Sequence, residues 1–294
     1  MPEGDTVWRT ARRLDQALSG APLVVADLRW PALATADLRA ATTLEVVSRG
    51  KHILHRLDTG LTLHSHLRMD GQWRVRATAE VTPRTLVDDR IRAVLGTSTW
   101  TALGTRLGLL DLVTTAAEDT LVGHLGPDLL GPDWDEATAL TNLRRDPGQS
   151  IGAALLDQRN LAGIGTMYAA ETLFLERTHP WEPVGALDDD LLQRLVVRAR
   201  RLLDVNRQRA VPSSTGSTRQ GEATYAHARS GRPCRRCGGM VRVATIGTPP
   251  QDRTMFYCPA CQGGVGPTDD GRPQKPLGAG VRPRTRRRAD RRSG

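Results

Sequence analysis

Four cysteines occur in the chain, as Cys234-x2-Cys237 and Cys258-x2-Cys261 with twenty residues between the doublets. Two tight knuckles at the ends of a β-hairpin close a tetrahedral thiolate site, and four cysteine ligands leave no open position on the metal. The spacing is therefore that of a structural zinc ribbon, one Zn2+ per chain. A thioredoxin-like redox site needs one doublet, not two. Val241-Arg-Val243 and Met255–Tyr257 are the expected hairpin strands, and residues 225–264 the expected zinc-finger domain. Arg253 lies in that hairpin. A basic side chain held at a rigid turn suits a phosphate or an opened sugar; the alternative is a solvated arginine on a ribbon that only closes a small domain.

The 294 residues allow two further units besides the ribbon. A helix is expected over about Asp5–Ser19, with Val7, Ala11, Leu14 and Leu18 on one face and Gly20 as its stop. Short alternating runs follow at Leu23–Arg29, Leu44–Ser48, His52–Leu57, Leu61–Leu67, Gln72–Arg76, Ile91–Leu95, Ser98–Leu103 and Leu107–Val113, the pattern of a β-sandwich. After Gly126-Pro127 the periodicity turns helical: one segment punctuated by Ile151, Ala154, Leu155 and Ala162, another at Met167–Leu175, and a long helix at Asp189–Asn206. Val211–Thr224 reads as loop or linker. The expected fold class is α+β multidomain: a leading helix and β-sandwich over 1–125, a helical domain over 126–224, the zinc hairpin, and a disordered basic tail over 265–294.

Charge points to the partner. Lys and Arg outnumber Asp and Glu by 41 to 32, which favours a polyanion such as nucleic acid. The last thirty residues carry nine of the basic groups and three Asp, so the first 264 residues carry only +3 of the +9. No run approaches the ~18 apolar residues of a membrane helix, and Asp5, Arg9, Arg12 and Arg13 deny the N-terminus a signal-peptide core. The expected setting is cytoplasmic, nucleoid-associated at most, with no membrane contact and a monomeric chain. No solenoid-period repeat is present.

Of the 41 basic residues only Lys51 and Lys275 are lysine. Lys51, in Ser48-Arg-Gly-Lys51, is either a chance survivor on a strand edge or a proton donor, a task arginine does poorly because it stays protonated. Met1-Pro2 is a context in which the initiator methionine is removable. That would leave a secondary amine whose pKa, near ~8, makes it a usable nucleophile at neutral pH. Attack on C1′ of a nucleotide would expel the base and leave an iminium that acidifies C2′, after which β-elimination cleaves the strand. Glu3 is placed to move the proton. Taken alone, a Met-Pro-Glu start says little. His52, His55, His64 and His66 are read as ordinary sheet or DNA-facing histidines, since no carboxylate completes a metal set. Asn160-Leu-Ala-Gly163-Ile-Gly165-Thr166 joins two helices, either as a plain packing turn or as backbone donors for a phosphate at a helix start.

Together these residues closely resemble the formamidopyrimidine-DNA glycosylase / endonuclease VIII family. The matching pieces are Met1-Pro-Glu-Gly-Asp5, Ser48-Arg-Gly-Lys51, His66-Leu-Arg-Met-Asp-Gly71, Leu125-Gly-Pro-Asp128, Leu155-Leu-Asp-Gln158 through Gly163-Ile-Gly165 and Glu171, and Arg253 to Gln262. They stand in family order over residues 1–264, and Gly4-Asp5 is nearer the endonuclease VIII branch, in its actinobacterial form.

The resemblance implies a helix-two-turn-helix domain between sandwich and zinc hairpin, with double-stranded or bubble DNA carrying oxidised bases or abasic sites in the cleft. It implies Pro2 as Schiff-base nucleophile, Glu3 as general acid, Lys51 as proton donor in β-elimination and Arg253 in δ-elimination. Arg68, Met69, Arg106, His124, Gly163, Gly165 and Thr166 would contact DNA, Met69 as the wedge filling the gap left by the flipped nucleotide. Three positions depart from the family: Thr166 replaces the common Asn, Arg106-Leu-Gly108 replaces Arg-Phe-Gly, and the zinc hairpin is longer, with Pro249-Pro250 in the extra length. The expected function is a bifunctional DNA glycosylase and abasic-site lyase of base excision repair acting on oxidised pyrimidines. The alternatives are the same chemistry on oxidised purines and formamidopyrimidines, or a damaged-DNA-binding protein without catalysis.

Overall fold

A computed structural model describes residues 2–276. Helix α1 (Gly4–Leu18) is followed by strands β1 (Val25–Leu28), β2 (Thr43–Arg49), β3 (His52–Leu57), β4 (Leu61–His66), β5 (Gln72–Ala77), β6 (Ile91–Gly96), β7 (Trp100–Thr105) and β8 (Leu109–Thr114). They form two antiparallel four-stranded sheets in the orders β2-β3-β4-β8 and β1-β6-β7-β5. The alternation read from sequence is the alternation buried: Val46, Ile53, Leu57, Leu63 and Leu110 of one sheet meet Leu28, Ala93, Leu95 and Ala102 of the other, and Val7, Ala11, Leu14 and Leu18 of α1 complete the core. All eight sequence-expected strands are present. The first lysine sits where β2 turns into β3, between the paired Arg49 and His52.

Single-turn helices α2 (Pro83–Leu86) and α3 (Asp119–Val122) precede the helical unit, made of α4 (Glu136–Arg144), α5 (Ile151–Leu156), α6 (Thr166–Leu175) and α7 (Asp189–Asn206). Two elements differ from expectation. Helix α4 has a weak apolar stripe, with only Ala139, Asn142 and Leu143 buried, so its periodicity is hard to see in the sequence. The segment read as running from Ile151 to Ala162 is helical only to Leu156. The chain then turns, and Ala162 instead bridges to Asp128.

The hairpin β9 (Arg242–Ile246) and β10 (Arg253–Tyr257), with the single-turn helix α8 (Pro259–Gln262), has no core of its own. Val241, Ile246, Met255 and Phe256 belong to the same buried cluster as Leu173 and Phe174 of α6 and Leu195 of α7. The 211–224 segment is tied down, not a free linker. Glu171, fully buried on α6, accepts hydrogen bonds from the backbone N–H groups of Tyr225, Ala226 and His227, each at 2.8 Å, and from the Ser214 hydroxyl.

The basic tail expected to be disordered from residue 265 is instead tied down at its start. Its first part, to Pro276, lies along the hairpin: Thr268 donates to the Thr245 carbonyl, Asp269 pairs with Arg242, and the Gln274 amide bonds the backbone of Val243. The remaining 277–294 lie outside the described residues. No helix among the described residues is long and apolar enough to cross a membrane.

Candidate active site between the sandwich and the helical unit

The start of α1 and the start of α6 meet head to head. Glu3 sits at the N-cap of α1 but does not cap it with its side chain. Its carboxylate reaches the open first turn of α6, accepting from Gly165 N–H at 2.7 Å, Met167 N–H at 2.8 Å and Tyr168 N–H at 3.4 Å. A helix N-terminus offers unpaired donors and a favourable dipole to a carboxylate. The close approach depends on glycine, because a Cβ on Gly165 would fall 2.5 Å from the Glu3 carboxyl carbon. The Gly4 N–H donates to the Gly163 carbonyl at 2.8 Å, and Gly163 holds φ at +104°. The Gln158 side chain fixes this turn from behind, accepting from Gly163 N–H and donating to the Ile164 carbonyl.

This occupant changes the meaning of the glycine turn. The N–H groups of Gly163 and Gly165, read as donors for a phosphate, are engaged by Gln158 and Glu3, and Thr166 is buried. The turn seats an acid in the site.

Lys51 is brought to the same place by a second junction. Gly50, at φ +58°, donates its N–H to the buried Asp128 carboxylate at 2.8 Å, and a Cβ there would press on Ala162 at 3.0 Å. Arg49 adds a hydrogen bond to the Gly126 carbonyl and an ion pair with Asp133. The β2–β3 turn is thus bolted to the helical unit, and the lysine projects from it. Burial pushes the Glu3 carboxyl above the usual carboxylate range, opposed by Lys51 and the α6 amides. Burial pushes the Lys51 ammonium below its ordinary value, with Glu3 opposing and Arg253 reinforcing. A carboxyl pushed up by burial beside a lysine pushed down by burial is an arrangement for moving protons. Pro2, half-buried, immediately precedes Glu3.

Arg253 is the first residue of β10, exposed, with its guanidinium folded onto the Gln251 and Asp252 carbonyls of its own turn. It lines a cavity of about 1060 Å3 together with His124, Gln158, Arg159, Gln251 and Thr268. On the sandwich side, Met69 is 64% exposed at the tip of the 67–71 loop. Arg68 and Arg106 flank it at positive φ (+53° and +49°), the Arg68 stem lying against Gly108. Leu107 is buried, so among the described residues Met69 is the one large apolar side chain exposed on these two loops.

The histidines form a chain that the sequence reading missed. His52 Nδ1 lies 2.8 Å from His64 Nε2, and His64 Nδ1 lies 3.1 Å from Asp111 Oδ2. The His66 ring packs edge-on against His52, with its Nδ1 accepting from Arg68 N–H. Burial holds His52 down to about 3 and His66 to about 4, so both are neutral. Asp111 is the carboxylate that sequence spacing did not supply, because the β4–β8 pairing that places it opposite His64 is not local. His55 is separate, bonded to Thr43.

The four cysteine sulfurs lie within 4.8 Å of one another, with Cys234–Cys261 at 3.9 Å and Cys237–Cys258 at 3.5 Å. Metal–sulfur bonds of about 2.3 Å in a tetrahedron need sulfur separations of about 3.8 Å. The donor set and its spacing fit a tetrahedral thiolate-bound ion. Among the described residues no other group of three or more His, Cys, Asp or Glu meets that proximity.

The family model of the formamidopyrimidine-DNA glycosylase N-terminal domain covers residues 1–107, and that of the formamidopyrimidine-DNA glycosylase H2TH domain covers residues 125–220. A probable endonuclease 8 2 of Streptomyces coelicolor is 51% identical over 284 residues, 97% of this chain and 100% of the relative. The DNA-(apurinic or apyrimidinic site) lyase Nei2 of Mycolicibacterium smegmatis is 44% identical over 262 residues, 89% of this chain and 99% of the relative. Among solved structures, the Lactococcus lactis formamido-pyrimidine DNA glycosylase bound to DNA containing an AP site superposes with a TM-score of 0.73 at 22% identity, covering 89% of this chain and 99% of that one. That likeness is one of fold.

Proposed function

The chain belongs to the formamidopyrimidine-DNA glycosylase family, and from that premise we propose that it is a bifunctional DNA glycosylase and abasic-site lyase acting on oxidised pyrimidines in DNA. The observation that carries the reading is that Glu3 and Lys51, both of the sandwich unit, lie close enough at its junction with the helical unit to act on each other's charge, with Pro2 next to Glu3 in the chain.

The chemistry follows from those groups. The Pro2 amine, freed by loss of Met1, attacks C1′ of an extruded nucleotide. The glycosidic bond breaks with the departing base taking up the proton that the amine gives away, and Glu3 donates a proton to the sugar ring oxygen as the ring opens to the iminium. The iminium withdraws electrons from C2′. Loss of a C2′ proton then expels the 3′ phosphate, with Lys51 carrying protons in that β-elimination. Arg253, on the hairpin side, is assigned to the second elimination and reaches the 5′ phosphate only by leaving its own turn. Water hydrolyses the iminium and restores Pro2.

Extrusion leaves a gap in the stack, and exposed Met69 is the wedge for it. With Leu107 buried, no aromatic ring is offered to the opposite strand beside Met69, so discrimination of the facing base rests on Arg68 and Arg106. Cys234, Cys237, Cys258 and Cys261 hold zinc, which supplies structural closure of the hairpin and no reacting group.

Excision assays on duplexes carrying 5-hydroxyuracil, thymine glycol or 8-oxoguanine test the substrate class. Faster release of the two pyrimidines supports the proposal, and faster release of 8-oxoguanine moves the same chemistry to purines. Binding without release of any of the three leaves only a damaged-DNA-binding protein.

A further inference from the structure

Three glycines from three separate segments meet backbone to backbone beside the site. A Cβ on Gly4 would fall 3.0 Å from the Gly163 Cα, and one on Gly50 would fall 3.0 Å from the Ala162 Cβ and 3.5 Å from Gly163 N. Each adjoins a group assigned to the reaction: Gly4 follows Glu3, Gly50 precedes Lys51, and Gly163 belongs to the turn whose Gly165 N–H seats the Glu3 carboxylate. Asp128 supplies a polar side chain to this meeting point. It is 2% exposed, and its carboxylate accepts from Gly50 N–H at 2.8 Å through Oδ2 and from Leu130 N–H at 3.0 Å through Oδ1. Oδ1 also lies over Gly163, 3.4 Å from where a Cβ would stand. The main chain at Asp128 holds a different neighbour. It bridges to Ala162, with Ala162 N–H donating to the Pro127 carbonyl at 2.9 Å and Leu129 N–H to the Ala162 carbonyl at 3.1 Å. The side chain thus serves the Lys51 turn, and the main chain serves the Glu3 turn. A buried carboxylate is costly without partners, which makes the bond to Gly50 a demanding one.

We infer that Asp128 is a positioning residue for Lys51: its side chain holds the β2–β3 turn where the lysine serves strand cleavage, while the seat of Glu3 is held independently by the main chain of the same segment. The inference rests on the lyase reading above and deepens it. Arg49 and His52 are already paired, so β2 and β3 are joined through Gly50 and Lys51 alone. In a two-residue turn the backbone of one residue dictates the direction of the other. A shift of Gly50 is therefore carried to the lysine. Gly50 holds φ +58°, a conformation that favours glycine, and the Asp128 carboxylate meets its N–H within the turn itself. Arg49 also reaches the helical unit, through the Gly126 carbonyl and Asp133, but from the strand before the turn. Both Asp128 carboxylate oxygens are engaged by backbone N–H groups, so the residue acts through the turn and not on the reacting atoms.

The test compares the unaltered protein with Asp128→Ala, Gly50→Ala and the double variant in single turnover. Nicking of a preformed abasic duplex reports the Lys51 step. Release of 5-hydroxyuracil, read after hot alkali has cleaved every abasic product, reports the step before it. Asp128→Ala removes the acceptor, and Gly50→Ala moves the same turn off Ala162 with the carboxylate kept. Displacing the lysine by about 1 Å is expected to lower nicking on the order of 10²-fold in each single variant. Base release, borohydride trapping and affinity for a stable abasic analogue are expected to stay at the parent's level. The double variant is expected to lose no more than either single one, because both substitutions break one hold. Burial is the chief cause that keeps Lys51 below its ordinary value, with Glu3, Arg253 and His66 in range of its charge. Moved toward water it recovers, so the limb of the nicking pH profile that Lys51 sets is expected to move to higher pH in the variants. Equal losses in base release and nicking, nicking at the parent's rate in either single variant, additive losses in the double variant, or an unmoved limb would each overturn the inference. If melting curves show that Asp128→Ala does not fold, Gly50→Ala decides by the same split and the same limb. Absence of nicking and trapping in the unaltered protein would defeat the lyase reading and this inference with it, whereas a parent that nicks and traps leaves the variants to decide this inference alone.

Discussion

The Glu3 carboxylate is the cap of a helix 162 residues away: it accepts from Gly165 N–H at 2.7 Å across the junction between the sandwich and the helical unit. One contact therefore ends α1's approach, starts α6 and places an acid in the site. The glycine is required because any side chain at 165 would occupy the position of the Glu3 carboxyl group.

Gly165→Ala tests that dependence. The methyl would displace Glu3, and displacement of a positioned proton donor by about 1 Å costs on the order of 10²-fold in rate. Base release is expected to fall by that factor, and nicking of a preformed abasic site by less, since there the base has already gone. Equal losses in the two assays would argue that the substitution merely unfolds the junction, which a melting curve checks.

The raised Glu3 pKa sets a pH dependence of stability. In the folded chain the neutral acid is favoured, so Glu3's contribution is fully present below the ordinary carboxylate pKa and is lost as pH rises through the folded value. Glu3→Gln cannot ionise. The melting temperature of the variant minus that of the parent is therefore expected to climb as pH rises from 4 toward 7, whatever constant cost the amide carries. A difference that stays flat, or falls, would contradict a Glu3 carboxyl raised by burial.

Lys51→Arg keeps the charge and removes the ability to release a proton. Strand cleavage at an abasic site is expected to drop by 10²-fold or more, in the ~10²–10⁴ range of general acid–base catalysis, while affinity for the abasic duplex changes little. If cleavage survives and affinity falls instead, Lys51 serves as a phosphate contact.

Much of this fold can be read from local pattern. The strands alternate because one face of each is buried, and the cysteine doublets announce their ribbon because a metal site needs its ligands at fixed spacing. What stayed hidden is non-local. Asp111 meets His64 only through the β4–β8 register, and Asp128 meets Gly50 across 78 residues. Glu171 reads as one more polar residue in an apolar helix until the 213–227 loop is folded onto it. The strap at 265–276 was obscured by composition, because its polar residues resemble those of an unfolded tail, and only the edge of β9 gives Gln274 and Asp269 their partners. The glycine turn was legible as a helix start that binds an anion; that the anion is this chain's own Glu3 was not.

Zinc removal gives a further outcome. The hairpin shares its core with α6 and α7, so stripping the metal is expected to lower the melting temperature and weaken DNA binding tenfold or more, as binding free energy of a structural ion is folding free energy. Cys237→Ser should reproduce the effect. Unchanged binding after metal analysis confirms zinc loss would show that the hairpin neither needs the ion nor contributes to the DNA surface.

The proposed imine between the terminal amine of Pro2 and the sugar is measured directly by borohydride trapping. Methionine-processed protein incubated with an abasic duplex and borohydride is predicted to give a single covalent adduct whose DNA-bearing peptide begins at Pro2, and acetylating the terminus is predicted to abolish it. No adduct, or an adduct undiminished by blocking the terminus, would contradict imine formation at Pro2.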